Sequence, residues 1–444
     1  MEKLNVVDKK AWTSCFALVT NIEIIMSLLL CVRKQRILSA LILAFPLLVL
    51  GQPINAPQGN EHALVGSLVG DQVYPGISLN QNGGYLVWEE NGSIKSGTEI
   101  KAARLTSSFT TVSNFAVNKV AKGDQKNPQV QLLNNGEAIF VWQSYGLGNA
   151  NIYARILKDD AFTTGDILVN AAPKSKNSYF KDQQSDPVVC ALQDGSALVA
   201  WQSLGQDGSL RGVYFRKVSS SGKMESDEVL ANQTTAFNQR NPAVATLADG
   251  NVIVVWISEQ QRFDGSVDVY ARLFTANGSA VSGERLLNSA NNLCANPSVA
   301  ALSGGGFTVV WSEKDLSNQS NSWEIVGRSF SADAVAAGGD FKINTHTYGD
   351  QYRPKIAAVG NDCAVVWTSL GQDGSREGVY GRILQGGAQP SGNEFRVNTT
   401  TVSRQRYPNV ASDGTGRFLV GWSGFVAVTS FDLFGQEYIL SPQP

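Results

Sequence analysis

Asn241-Pro242-Ala243-Val244-Ala245-Thr246-Leu247, then Asp249-Gly250, Val252-Ile253-Val254-Val255-Trp256, Asp264-Gly265, Val269-Tyr270-Ala271-Arg272 and Leu286-Leu287-Asn288 make up one copy of a unit that the chain spells seven times. The Trp recurs at 88, 142, 201, 256, 311, 367 and 422, in steps of 54, 59, 55, 55, 56 and 55 residues. The opening Pro keeps phase with it at 75, 128, 187, 242, 297, 354 and 408. A fixed period of this length marks a repeat architecture, and two markers in step delimit every copy.

Each copy reads as four strands. In the quoted unit they are Ala243–Leu247, Val252–Trp256, Val267–Leu273 and about Glu284–Asn288. Asp249-Gly250 joins the first two, as do Asp194-Gly195 and Asn135-Gly136 in other copies, residues that tolerate the positive φ of a tight hairpin. The second strand is apolar on both faces and so must be covered on both. The third alternates Val267, Val269 and Ala271 against Asp268, Tyr270 and Arg272, which predicts one wetter face. Strands covered on both sides in equal, repeated sheets are what blades packed around an axis require. The fold class expected is all-β, a seven-bladed β-propeller of four-stranded antiparallel blades over residues 61–438. The seventh copy stops after its third strand. Glu61-His62-Ala63-Leu64-Val65 precedes Pro75 by the spacing at which Glu394-Phe395-Arg396-Val397-Asn398 precedes Pro408. Residues 61–66 are therefore expected to complete the last blade and close the ring.

Residues 1–51 do not resemble the repeat. Arg33-Lys34-Gln35-Arg36 followed by apolar Ile37–Leu50 has the layout of a secretory signal, with Val49 and Gly51 at acceptable cleavage positions. Met26 is the start that would give this leader ordinary length. An uncleaved anchor is the alternative, although the apolar run is shorter than the ~20 residues of a spanning helix. Residues 52–60 read as a linker and 439–444 as a tail. The mature domain is expected outside the cytoplasm, secreted or periplasmic, with no membrane span of its own. With 17% charged residues and a net charge of −2, the composition argues against a nucleic-acid surface and a polybasic membrane patch. Cys190, Cys294 and Cys363 are scattered over three copies and suggest buried thiols, with no zinc spacing among them. Sequons at Asn91, Asn232, Asn277, Asn318 and Asn398 matter only in a host that glycosylates.

The loops before the first strand and between the second and third emerge on one face, and both are patterned. Gln stands three residues before the Pro at 72, 125, 184, 239, 351 and 405, and Gly-Asp precedes it at Asp71, Asp124 and Asp350. The other loop reads Gly205-Gln206-Asp207-Gly208-Ser209 and Gly371-Gln372-Asp373-Gly374-Ser375, with Phe263-Asp264-Gly265-Ser266 as a diluted version. The ligand-binding candidates are thus Gln206, Asp207, Ser209, Asp264, Gln372, Asp373, Ser375, Asp71, Asp124 and Asp350. The bland reading makes Asp-Gly the tip of a two-residue turn midway between Trp201 and Tyr214, and between Trp367 and Tyr380. The functional reading has the carboxylates hold Ca²⁺, with Asp207 and Asp373 as metal candidates, or bind sugar hydroxyls. A second ring, Arg104, Arg155, Arg216, Arg272, Arg328 and Arg382, is expected to pair with Glu228, Glu284, Asp340 and Glu394 as structural ion pairs. Only His62 and His346 exist, so no His-based centre can be assembled. The longest departure from the repeat is Ala171–Ser185, the expected site of individuality.

The spelling from Trp201 to Tyr214, nearly repeated from Trp367 to Tyr380, resembles tandem repeats of large secreted bacterial proteins of the adhesin and calcium-binding-toxin type. That resemblance is to secreted proteins and offers a place for calcium, while the near-equality of the repeats favours a binding module. The chain departs from it in lacking glycine-aspartate nonapeptide arrays, and it has no sialidase Asp-box. The expected function is a secreted or cell-surface binding or adhesion module with a glycan or protein ligand on the patterned face and no nucleic-acid partner. The alternative is a carbohydrate-active enzyme, a glycoside hydrolase or lyase, using a carboxylate pair near the axis. The two are separated by whether the face is nearly equivalent all round or polarised to one side.

Overall fold

A computed structural model describes residues 55–92, 97–146, 149–171, 183–317 and 322–440. The leader and most of the Ala171–Ser185 excursion lie outside the described residues. The remainder is all-β: seven antiparallel sheets of four strands, blade 2 having its outer strand split into Ala161–Phe162 and Ile167–Leu168. Six sheets follow chain order from the axis outward, the seventh takes its outermost strand from the start of the domain, and together they form a seven-bladed propeller.

The quoted copy shows why. Its second strand, Val252–Glu259, is β-branched and apolar along most of its length, which favours extended backbone. Val252, Val254 and Trp256 pack on Leu198 and Ala200 of the preceding blade. Ile253, Val255 and Ile257 pack on Trp311 of the next. The period of two thus feeds both seams at once. The turn at Asp249-Gly250 is a three-residue loop: Leu247 bonds Asn251 across it at 2.8 Å, Gly250 takes φ 85°, and Asp249 accepts the Asn251 N–H at 3.0 Å. The third strand, Val267–Phe274, has no wet face, contrary to expectation. Asp268 is fully buried between Arg262 at 2.6 Å and Asn288 at 2.9 Å, and Tyr270 joins the seam around Trp256.

All seven repeat tryptophans are buried, and in four blades the recurrent Gln accepts the indole N–H, while Trp88 donates to Glu90 at 3.3 Å. Trp142 donates to Gln125 at 3.0 Å, Trp201 to Gln184 at 2.7 Å, Trp367 to Gln351 at 3.0 Å and Trp422 to Gln405 at 3.0 Å. Blade 5 has Cys294 at the Gln position, and there Trp311 donates to Glu313 at 3.0 Å. The Gln ring is a buried brace, not a ligand face.

The Arg ring works differently from the expected ion pairs. Five of the six Arg residues reach back to a carbonyl of the preceding blade: Arg155 to Val117 (2.7 Å), Arg216 to Val169 (3.0 Å), Arg272 to Ala231 (3.2 Å), Arg328 to Leu287 (2.8 Å) and Arg382 to Ile343 (2.7 Å). The acidic residues also cross the seam, accepting backbone N–H groups. Glu228 takes that of Ala171 (2.6 Å), Glu284 that of Thr234 (3.0 Å), Asp340 that of Ser289 (2.7 Å) and Glu394 that of Thr345 (2.8 Å). Of the expected pairs only Arg328 and Asp340 approach, at 3.5 Å. Arg104 instead meets Asp160 at 2.5 Å on the surface. The carbonyls that the Arg residues reach belong to buried residues, and a charge bonded to such a group across a seam fixes blade spacing better than an exposed ion pair would.

The ring closes as the repeat phase predicts, with a longer strand. Asn55–Ala63 pairs with Ser430–Leu440 from Asn55↔Leu440 to Ala63↔Phe434, with a register shift between Gln58 and His62, so the expected linker is already strand from residue 55 onward. Leu64 is buried against Leu419 and Leu433, and Glu61 accepts the Thr400 N–H at 3.0 Å, the seam contact that Glu394 makes one blade earlier. The sequon residues Asn232 and Asn398 are buried, accepting the backbone N–H of Val213 and Val379 at 2.8 and 2.7 Å.

Candidate functional site on the propeller axis

Every first strand carries its Pro inside a β-bulge, where two residues of pairing are skipped. A bulge suits Pro, which has no N–H to give the ladder. It also puts the residue before the Pro in the left-handed region: Tyr74, Asn127, Asp186, Asn241, Asn296, Arg353 and Tyr407 all have φ between 51° and 59°. Asn and Asp tolerate this conformation. Tyr and Arg do not, and each such residue costs on the order of 1–3 kcal/mol, a strain that proteins keep where it serves a site.

These seven residues, with their prolines, line one axial pocket of about 380 Å³, within the roughly 300–1,000 Å³ of small-molecule sites. Blades 2 to 5 supply Asn127, Asp186, Asn241 and Asn296. Blades 6, 7 and 1 supply Arg353, Tyr407 and Tyr74, and Lys355 lines the wall beside Arg353. The ring is polarised: amides and a carboxylate on one arc, cations and phenols on the other. Tyr74 and Tyr407 are stacked with centroids 4.2 Å apart, and the Arg353 guanidinium lies 4.8 Å from the Tyr407 ring centre.

In four blades the residue after the repeat Trp (Glu89, Gln143, Gln202 and Ser312) accepts the backbone N–H of the next blade's axial residue. Glu89 accepts the Asn127 N–H at 2.7 Å, Gln202 that of Asn241 at 2.9 Å, and Ser312 that of Arg353 at 3.1 Å. The Asn127 side-chain amide donates to Asp186 at 2.8 Å, and Gln202 donates to the other Asp186 oxygen at 2.6 Å. Two carboxylates, Glu89 and Asp186, thus flank Asn127 near the axis. Burial raises the Asp186 carboxyl above the usual range, against the opposing fields of Arg211 and Arg353. Burial pushes Glu89 up to about 7, although the bond from Asn127 works the other way.

Glu89 therefore binds its proton more tightly in the folded than in the unfolded chain. The stability this adds is fully present below about 4.5, the ordinary Glu value, and is lost as pH rises through about 7. Glu89→Gln keeps the acceptor for Asn127 and removes the titration. We expect it to gain roughly 2–3 kcal/mol relative to the parent at pH 8 and nothing at pH 4. Melting curves of both proteins across that range would check this, and parallel pH profiles would contradict it.

The ten residues singled out from sequence lie elsewhere on the same face and are not brought together. Gln206 bridges Ser203 and Glu228, both at 2.7 Å, and Gln372 does the same between Ser369 (2.7 Å) and Glu394 (2.5 Å). Asp207 and Asp373 shape their turns by accepting the N–H of Ser209 (3.0 Å) and Ser375 (3.1 Å). Their second oxygens fold back over Gly212 and Gly378, at strand positions that Asp268 and Glu324 occupy in other blades. Asp264 is exposed at its hairpin tip. Asp124 and Asp350 accept the N–H of Thr98 (3.2 Å) and Trp323 (3.1 Å) in the preceding blade, and Asp71 accepts the Ser430 hydroxyl at 2.5 Å. Among the described residues no three His, Cys, Asp or Glu side chains gather as a metal-holding group.

The axial ring escapes a sequence reading in which the Pro only sets the repeat phase. Its signal was present: between a near-constant Gln and a constant Pro, the residue before the Pro runs Tyr, Asn, Asp, Asn, Asn, Arg, Tyr around the seven copies.

No protein-family profile matches the sequence, and no curated protein matches it. Solved structures do. A protein of unknown function from Dyadobacter fermentans aligns over 88% of this chain and 100% of its own, with a TM-score of 0.53 and 12% identity. The polysaccharide lyase Uly1 aligns over 88% and 93%, with a TM-score of 0.51 and 12% identity. An α-L-arabinanase of Penicillium chrysogenum, complexed with arabinobiose, aligns over 84% and 98%, with a TM-score of 0.50 and 11% identity. At such identities the likeness speaks for the propeller fold. No helix among the described residues is long and apolar enough to cross a membrane.

Proposed function

We propose that the protein is a carbohydrate-active enzyme, a glycoside hydrolase or polysaccharide lyase, that works in the axial pocket. The observation that carries this reading is the polarity of the axial ring. Seven blades that share one seam pattern differ at the positions lining the axis, above all at the residue before each Pro. There they set a desolvated carboxylate, Asp186, across from Arg353 and two phenols. A module displaying equivalent loops has no use for that difference, whereas proton transfer to or from a bound sugar needs unlike groups at fixed places. The amides of Asn127, Asn241 and Asn296 offer donors and acceptors to hydroxyls, and the tyrosine faces suit the apolar side of a sugar ring. The arabinanase and the lyase that share the fold act on this class of substrate.

The test is release of reducing ends from a panel of plant and algal polysaccharides by the purified protein and by Asp186→Asn. The substitution retains a side chain suited to φ 53° and the contact to one neighbouring amide. Turnover by the parent that falls roughly 10²–10⁴-fold in the variant, with substrate still bound, is the expected result. Tight binding of a glycan with no turnover by either protein would return the protein to the class of binding modules.

A further inference from the structure

Arg353 and Lys355 stand out within the pocket because the protein does not neutralise them. Neither Arg353 nor Lys355 forms an ion pair among the described residues, and they are the two cations that line the pocket. They lie two residues apart on one strand and both reach the pocket. Asp186, the carboxylate in the lining, has its two oxygens engaged by Asn127 and Gln202. Burial first, and the adjacent Arg353 charge second, hold the Lys355 ammonium below its usual range. Arg353 is, in addition, held in a backbone conformation that disfavours it, with its guanidinium 4.8 Å from the Tyr407 ring centre and 5.9 Å from that of Tyr74.

We infer that Arg353 and Lys355 form an anion subsite that takes the carboxylate of a uronic-acid sugar, with the sugar ring against Tyr74 and Tyr407. This deepens the carbohydrate reading above and rests on it. The planar fork of Arg353 matches a carboxylate in two parallel hydrogen bonds, Lys355 adds a point charge, and the bound anion relieves the repulsion between the two cations. A sugar ring attached to that carboxylate would lie beside the stacked tyrosines. A free inorganic anion would leave them unused.

The experiment is calorimetric titration of the full chain with a panel of oligouronates, their carboxyl-reduced neutral counterparts, a sulfated neutral oligosaccharide and inorganic sulfate. The expected result is an oligouronate that binds at least about tenfold more tightly than its reduced counterpart, about 1.4 kcal/mol. Arg353→Gln should abolish that preference, Lys355→Gln should weaken it, and Arg353→Lys should retain part of it. Melting curves of each variant would confirm that it is folded. Equal binding of acidic and reduced oligosaccharides, a preference for the sulfated sugar, or discrimination that survives in Arg353→Gln would overturn the inference and leave the carbohydrate reading standing. Binding of inorganic sulfate with no oligosaccharide bound would overturn both.

Discussion

Removing residues 55–66 should lower the melting temperature and make the protein aggregate, because it opens the ring at its one non-contiguous blade. The deletion takes away every pairing of Ser430–Leu440 on its outer side and leaves an eleven-residue strand as an exposed edge. Such an edge is a template for pairing with another chain. It also strips Leu64 from the seam that holds Leu419, Leu433 and Trp88, and for that side chain alone the loss is roughly 2–5 kcal/mol. The Glu61 bonds to Thr399 and Thr400, which tie blade 7 to blade 6, go with it. A peptide of residues 55–66 added in trans should restore much of the melting temperature. Identical melting curves for the truncated and complete domains would show that this strand contributes nothing to closure.

The second large effect concerns the tryptophan seams. Trp256→Ala should cost roughly 3–5 kcal/mol, since the ring is fully buried between blades 3 and 4 with no solvent to refill its place. A finer comparison uses Phe. The Trp256 indole N–H has no partner, because Gln239 turns to Ala236 and Asn232 instead. Trp201 donates to Gln184 at 2.7 Å. Trp256→Phe therefore removes no hydrogen bond, whereas Trp201→Phe orphans a buried amide and should cost a further ~1–3 kcal/mol. Denaturant titration of the four proteins resolves the order. A loss under about 1 kcal/mol for Trp256→Ala would mean that the seam is not packed around the ring.

The fold was legible because the repeat writes its packing twice, once in period and once in hydrophobicity. A run such as Val252–Trp256, apolar on successive residues, can be covered on both faces only by two neighbours, and equal copies then close a ring. The missing fourth strand of the last copy was equally readable, since Glu61 and Glu394 stand at the same distance from their prolines. The site was less legible for a physical reason. Gln at a constant place near a loop looks like a ligand group in one dimension, but its partner is an indole N–H some sixteen or seventeen residues on, which only the folded blade brings within reach. Asp207 and Asp373 mislead in the same way, because their turn geometry and their filling of a glycine gap both serve the blade. The third strand was read as half wet because Asp268 is charged, and its burial depends on Arg262 and Asn288, which lie outside that strand. What faces the axis is decided by the bulge at each Pro, a backbone feature that no side-chain pattern announces. The position that varies among constant neighbours was the clue: residues that brace the seams must repeat, and a residue facing the axis is free to differ.

The closing strand also sets the order of assembly. Blades 1 to 6 are each made of contiguous chain, with hairpins of a few residues between inner strands, so each can form soon after its own residues exist. Blade 7 must pair Ala56 with Ile439, across nearly the whole described chain. Joining ends so distant costs about 5 kcal/mol in chain entropy if the intervening residues are loose, and far less once six blades have curved the ends towards each other. Closure is then the last event of folding, and the first segment of the domain to be synthesised waits unpaired until the last has been made.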